Sequence, residues 1–503
     1  MKTPVTRFAL ATALLAVLAA SPSLTAQTGP RGPQTLFGPA FGPGPNARPQ
    51  PNTAPAVAVN NSVTRWNQIA IDASGLDHTP VATGETRTYG EQLGPCRASR
   101  AIAMTQVAVF EAVNALAPRY QSAHGIARAA AGTSRSAAIA QAARDTLAAL
   151  FPSQTPRFDT FLAEDLARIA DGAAKTRGIA LGRATAAAVV ASRANDGSAQ
   201  TEALVGVDYF PKAEAGKWQQ DPISLSPVAL GLHWGKVKPF VMTSGDQFRL
   251  PPPPALDSVE HAQAYVEVKR LGGDGTHTPT ERGAEGTEIG TFWAYDGTPS
   301  LCAPPRLYNQ IARTIAAARR TDETELARLL ALLNVAMADT AIAGWETKWF
   351  YEVERPITAI RRAEADGNID TVADTTFHPL GAPASNLSGP NFTPPFPAYP
   401  SGHAAFGGAL FQTLRRFYGT DAIAFSFVSD EYNGVTTDNS GAVRPRVERS
   451  FASLSQAEFE NAYSRVYLGI HWLYDATGGI EQGNNVSNHV FDRLYRPLAS
   501  ARR

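Results

Sequence analysis

Lysine is scarce in this chain. Of 45 basic residues only eight are lysine, and 37 are arginine. Cysteine is scarcer still. With Cys96 and Cys302 alone, a disulfide-rich scaffold and a multi-cysteine zinc site are both excluded. Net charge is absent, since 45 basic residues face 45 acidic ones. That balance argues against a nucleic-acid partner held by bulk charge. No uninterrupted apolar run reaches the roughly 18 residues of a transmembrane helix, so no membrane span is expected. The HExxH pattern of a helix-borne metal site is missing too. What is present is bulk: 503 residues, 44% of them hydrophobic. A chain of that size buries a large core, and at about 100–200 residues per domain it predicts two to four domains.

The N-terminus has its own pattern. Lys2 and Arg7 flank the start of an apolar stretch at 8–20, Ser21-Pro22 breaks it, and Leu24-Thr25-Ala26 offers small residues for cleavage. Residues 1–26 therefore read as a signal peptide, and the protein is expected to be secreted or periplasmic. In that setting Cys96 and Cys302 could pair, although their spacing does not show that they meet. Residues 27–60 are rich in Pro, Gly, Asn and Gln and read as an extended linker outside the fold.

Beyond the linker the apolar spacing is mostly helical, and long alternating strand patterns are lacking. Helices are predicted over 97–116, 134–150, 157–170 and 173–194. A Pro- and aromatic-rich connector follows at 205–257. Residues 61–257 thus form an N-terminal helical bundle and connector, and residues 258–503 a C-terminal bundle. The latter holds predicted helices at 258–271, 306–320, 322–353, 403–417, 456–467 and 471–494. Ser455 and Glu458 are predicted to make a capping box. The fold class is all-α, with two helical bundles in series.

Three C-terminal segments carry chemistry. In the first, Lys348 and Arg355 lie seven apart and share one helix face, with Pro356 ending the helix. Lys348 is the only lysine after residue 269. Two cations on a solvated face would look the same. In the second, Pro400-Ser401-Gly402-His403 opens a helix. Its free amides and the Ser401 hydroxyl offer donors to an anion, with His403 placed for proton transfer. An ordinary N-cap beside a surface histidine is the plainer reading. In the third, Arg465 and His471 are six apart, so a break near Gly469 is needed to bring them together. Asp475, four after His471, can accept from one imidazole nitrogen and leave the other as a lone-pair donor. A buried His–Asp pair without a ligand fits equally. Taken together, the three segments would surround a tetrahedral oxyanion with fixed donors.

In this order, Lys-x6-Arg-Pro, Pro-Ser-Gly-His and Ser-Arg-x5-His-x3-Asp resemble the vanadium-dependent haloperoxidase and type 2 phosphatidic acid phosphatase superfamily. The likeness is greatest to the vanadium chloroperoxidases. It extends to Phe292-Trp-Ala-Tyr-Asp296-Gly, Pro304-Pro-Arg-Leu-Tyr-Asn-Gln310 and Pro394-Pro-Phe396-Pro-Ala-Tyr-Pro400, and covers roughly residues 290–480. The resemblance implies two four-helix bundles with the site in the second, and vanadate as cofactor. It implies that Lys348, Arg355, Ser401, Gly402 and Arg465 bind the vanadate oxygens and that His471 is the metal ligand. His403 would be the acid–base residue and Lys348 would polarise peroxide. Asp296 and Asp475 would support Arg465 and His471, and Trp345 and Phe396 would line the halide side.

The implied substrates are hydrogen peroxide and a halide, the product is hypohalous acid, and a small organic acceptor is possible. Phosphate has the shape and charge of vanadate, so a secreted acid phosphatase with His471 as nucleophile is the alternative. A non-catalytic binding protein on the same scaffold would be expected to have lost part of the constellation, and this chain has lost none of it.

Overall fold

The computed structural model describes residues 32–44 and 61–498. The expected signal peptide lies outside the described residues. A short helix α1 (Gln34–Phe37) and strand β1 (Gly42–Pro43) come first. Helices α2 (Ser62–Asp77), α3 (Gly94–Leu116), α4 (Arg135–Leu150), α5 (Thr155–Ala167) and α6 (Ala173–Ser192) follow. The connector holds strands β2 (Ala203–Leu204) and β3 (Val228–Ala229). Then come α7 (Val259–Leu271), α8 (Ala284–Phe292), α9 (Pro305–Ala318), α10 (Glu323–Tyr351), α11 (Pro356–Arg361) and β4 (Leu387–Ser388). The chain continues with α12 (Gly402–Tyr418), the hairpin β5 (Phe425–Asn433) and β6 (Arg446–Phe451), α13 (Leu454–Tyr467) and α14 (Leu473–Arg493).

Helix α10 is the axis of the molecule. Asp322 caps it by accepting from the Thr324 and Glu325 amides at 2.9 and 3.0 Å, and Glu323 and Glu325 favour its positive end. Leu326, Leu329, Leu330 and Leu333 are buried, and so is nearly everything to Lys348, so the helix has no solvent face. By length and composition alone it could cross a membrane, but its apolar window is wholly buried inside the protein. It packs against α3 on one side and α12 and α14 on the other. One continuous core consequently joins residues of both halves, from Val63 to Tyr495. Asp339, buried within α10, accepts from the Phe240, Val241 and Met242 amides at 2.6–3.0 Å and pins the connector to this axis.

Two packing details bring the three sequence segments together. Gly479 and Gly483 of α14 lie so close to α12 that an added Cβ would come within 2.8 Å of the Ser401 carbonyl and 2.1 Å of the Ala405 carbonyl. Only glycine permits that approach, and it sets the first turns of α12 and α14 side by side. Between α13 and α14 the chain reverses at Gly469, whose φ is +70°. This is the break that Arg465 and His471 require.

Four expectations are corrected. Lys348 and Arg355 do not share a helix face: α10 ends at Tyr351, Glu352 turns left-handed with φ +55°, and Arg355 is the extended N-cap of α11, which Pro356 begins rather than ending α10. The linker reading fails for residues 32–44, where Leu36, Phe37 and Phe41 are buried and β1 pairs with β4. The cap of α13 is Ser453, which accepts from the Gln456 amide at 3.1 Å. Ser455 and Glu458 both bond Arg415 instead. The β5–β6 hairpin was not expected, although Phe425, Phe427 and Ser429 do alternate inward along β5. Cys96 and Cys302 are both buried and free.

Candidate active site

Gly402, His403, Arg465 and His471 line one pocket, and Lys348 and Arg355 lie against its Phe396 wall. Asp296, Trp345 and Phe396 are also among the residues lining the pocket. Lys348, Arg355, Ser401, Arg465 and Asp475 are almost completely buried.

His471 is oriented at both nitrogens. Its Nδ1 lies 2.9 Å from Asp475 Oδ2, which also accepts from the Trp472 amide at 2.9 Å. Nδ1 therefore carries the proton, and the Nε2 lone pair faces inward, accepting from Arg355 Nη1 at 2.9 Å. Burial, then Arg355, Lys348 and Arg465, push this imidazole well below its usual range, so it stays neutral. Burial raises the Asp475 carboxyl to about 7.

The arginines are anchored from behind. Arg355 donates from Nε to the Phe396 carbonyl and from Nη1 to the Ile470 carbonyl, each at 2.8 Å. Arg465 uses Nη2 alone, on both Asp296 oxygens at 2.7 and 2.8 Å. Arg355 Nη2 and Arg465 Nε and Nη1 are buried without a partner. Three buried guanidinium nitrogens left unpaired are costly unless an acceptor fills the space between them. Burial, foremost, lowers Arg355 to about 9 and Lys348 well below the usual range. Both shifts are relieved by an anion. A tetrahedral oxyanion such as vanadate therefore fits the donor set.

Lys348 is placed differently from a simple donor to that anion. Its ammonium bonds the carbonyls of Pro397 at 2.8 Å, Ala398 at 3.0 Å and Pro400. All three of its protons are thereby engaged, so it brings charge to the pocket, and direct donation would require release of one carbonyl. Ser401 caps α12, with its hydroxyl 3.4 Å from the Ala404 amide. At Gly402 a Cβ would stand 3.3 Å from Trp345 Cη2. His403 donates from Nε2 to the Ala294 carbonyl, and Asp296 Oδ1 is 4.0 Å from the same nitrogen. Tyr308 and Asn461 bond the His403 carbonyl at 2.9 and 3.0 Å and hold its turn.

The opposite wall is apolar. The Phe396 ring is 5.0 Å from that of Trp345. It also lies under both cations, 5.0 Å from Lys348 Nζ and 4.9 Å from Arg355 Cζ. Trp345 is tied by its indole to the Leu230 carbonyl at 3.1 Å.

Comparison with known proteins bears directly on this geometry. Residues 328–500 match a family described as the VCPO second helical-bundle domain. Vanadium chloroperoxidase of Curvularia inaequalis is 38% identical over 280 residues, which cover 48% of this chain and 45% of that protein. The chain thus spans less than half the length of the curated relative it matches. A bacterial vanadium-dependent iodoperoxidase structure is 26% identical, with a TM-score of 0.68, over 88% of this chain and 98% of the other. The holo form of a bacterial vanadium-dependent chloroperoxidase, 16% identical with a TM-score of 0.60, shares the fold over 82% of this chain and 95% of the other. The family resemblance read from the motifs and the helical fold class both stand.

Some of the lining of this pocket was not anticipated from the sequence. Leu36 and Phe37 come from the supposed linker. Phe37 meets Phe392 edge to face at 5.0 Å, and the Leu36 carbonyl accepts from Ser226 Oγ at 2.6 Å. The available signal was Leu-Phe and Phe41 standing in an otherwise polar, Pro-rich stretch.

Proposed function

We propose that this protein is a vanadate-dependent haloperoxidase that converts hydrogen peroxide, halide and a proton to hypohalous acid and water. One observation carries the reading: Arg465, with two buried nitrogens unpaired, lines the pocket together with His471, whose tautomer is fixed by Asp475, and Arg355, with a further unpaired nitrogen, reaches His471 Nε2 at 2.9 Å. Arg355, Arg465, Ser401 and the Gly402 amide would hold the oxygens of vanadate, with the Lys348 charge behind them. His471 Nε2 would be its ligand from the protein. Bound there, vanadate supplies a Lewis acid that activates peroxide without changing oxidation state. His403, with Nε2 committed to Ala294, would exchange protons through Nδ1. Asp296 and Asp475 would keep Arg465 and His471 oriented, and Trp345 and Phe396 would exclude water from the halide side.

The grouping of α2–α6 and of α10, α12, α13 and α14 supports a two-bundle description around the shared core. The basic start, apolar stretch and small-residue site of 1–26 support export, to a secreted or periplasmic location.

The decisive test is an assay of metal-free protein with and without orthovanadate, using peroxide plus chloride, bromide or iodide, and a phosphate ester in parallel. Oxidation of bromide or iodide only after vanadate addition, with phosphate competing, is expected. Phosphomonoester hydrolysis without halide oxidation at any pH would establish the phosphatase instead.

Phe396 is expected to bear on halide choice. Its ring forms a dry wall against both cations, which strengthens their pull on a small anion. Phe396→His would admit water and a proton-accepting group. Chloride, the hardest of the three halides to oxidise, should lose kcat/KM first, while bromide turnover survives. An unchanged chloride-to-bromide ratio, with both activities falling together, would mean that the ring only packs the loop.

A further inference from the structure

A second group of ligand-bearing side chains stands outside the oxyanion pocket. Among the described residues, Asp274, His277 and His378 each place one ligand atom within 4.8 Å of the others. They come from two loops about a hundred positions apart, one after α7 and one after α11. We propose that these three side chains bind a single divalent transition-metal ion of the zinc class, which clips the 273–281 loop to the 377–381 segment.

The donor set selects the ion. Two imidazole nitrogens and one carboxylate oxygen, with a position open to water, suit Zn²⁺ and its neighbours. Ca²⁺ and Mg²⁺ take oxygen ligands and are poorly served here. The backbone holds the ligands in place before any ion arrives. The Asp274 amide donates to the His378 carbonyl at 3.0 Å, and the His378 amide donates to Thr278 Oγ1 at 2.7 Å. Gly273 and Pro379 form an antiparallel bridge between the same segments. Arg282 ties the loop base by donating to the Leu271, Gly273 and Tyr467 carbonyls.

The side chains are arranged to match. Asp274 Oδ1 accepts from the amides of Thr276, His277 and Thr278 at 2.8–3.0 Å, which leaves Oδ2 as the free ligand oxygen. Amide bonds to the second oxygen of a ligating carboxylate are a usual support of metal sites. The His277 and His378 rings stack 4.6 Å apart at 23°. Without metal, a proton lies between His277 Nδ1 and Asp274 Oδ2, 2.6 Å apart. On binding, Nδ1 gives up that proton and Nε2 takes one from solvent, so the imidazole stays neutral; the two atoms separate, and both become ligands. An exposed His–Asp pair of this kind contributes little to stability alone, which leaves its geometry unexplained as a salt bridge.

The clip would bear on the site already described. Leu380 donates to the Gly272 carbonyl at 2.8 Å and Gly381 to the Leu468 carbonyl at 2.9 Å. Leu468 opens the turn that delivers His471.

The test uses the tag-free full chain, stripped with chelator and then freed of it. Zn²⁺ is titrated in competition with a chromophoric chelator, into wild type, His277→Gln and the His277→Gln/His378→Gln double variant. Wild type is expected to hold one more equivalent than the double variant, and Zn²⁺ should raise the Tm of wild type only. Excess Ca²⁺ or Mg²⁺ should not displace it. Equal stoichiometry in wild type and both variants overturns the proposal. Should the double variant fold poorly, the Co²⁺ spectrum of wild type against His277→Gln decides. Tetrahedral bands lost in the single variant support the site, and identical spectra refute it.

Discussion

His471→Ala is expected to abolish vanadate binding at concentrations that saturate wild type. The imidazole presents its Nε2 lone pair beside the guanidinium nitrogens, because Asp475 accepts from Nδ1 and Arg355 meets Nε2. Removing it takes away the only covalent link the protein offers and leaves Arg355 Nη1 with the Ile470 carbonyl alone. The arginines still attract an oxyanion, so phosphate should bind the variant with much less loss than vanadate. Equilibrium dialysis with both anions checks this. Equal vanadate affinity in wild type and His471→Ala would refute the assignment, whereas parallel loss of both anions would point to a collapsed pocket. Asp475→Asn gives an intermediate case: the imidazole remains, but its tautomer is no longer held by a carboxylate, so vanadate should bind more weakly than to wild type and more tightly than to His471→Ala.

The site was more legible in the sequence than its surroundings, and the reason is spacing. Ser401 and His403 share a helix start, and His471 and Asp475 lie four residues apart and pair at 2.9 Å. These are local relations that residue order records. The relation of Arg465 to His471 needed one inference, a break at Gly469, and glycine is the residue that supplies a φ of +70°. What order does not record is how bonding capacity is distributed in three dimensions. Nothing local reveals that the Lys348 ammonium is surrounded by the carbonyls of Pro397, Ala398 and Pro400, because those come from a loop 50 residues away.

Composition misled at residues 32–44 for a related reason. Prolines and glycines remove the periodicity that marks an element, yet each of Leu36, Phe37 and Phe41 gains about 1.5–3 kcal/mol on burial. That is enough to hold a short strap on a groove the rest of the chain has already built. The hairpin β5–β6 escaped because its strand alternates Phe and Ser only briefly before turning polar.

His403→Ala should give the second large effect, a fall in kcat of about 10²–10⁴-fold, the range contributed by a positioned acid–base group. Vanadate affinity should change far less, because the unpaired guanidinium nitrogens and His471 are untouched. The sign of the pH dependence follows from the surroundings of the ring. Burial, and then Arg465, Arg355 and Lys348, hold the imidazole well below its usual value, against the bond to the Ala294 carbonyl, which favours protonation. It is therefore neutral at pH 7 in the free enzyme, with Nδ1 as the available base. An oxyanion in the cradle offsets those cations and moves the group back toward the usual histidine range near 6.5. Activity of wild type should accordingly fall on the acid side as this base is protonated. Without vanadate, the imidazole, read by NMR titration, should stay neutral to lower pH than in the loaded enzyme. The variant should lose that acid limb and show a flat, low profile over the same interval. A variant with the wild-type limb intact would place the titrating group elsewhere. A variant that also loses vanadate would make His403 a part of the cradle and not its proton carrier.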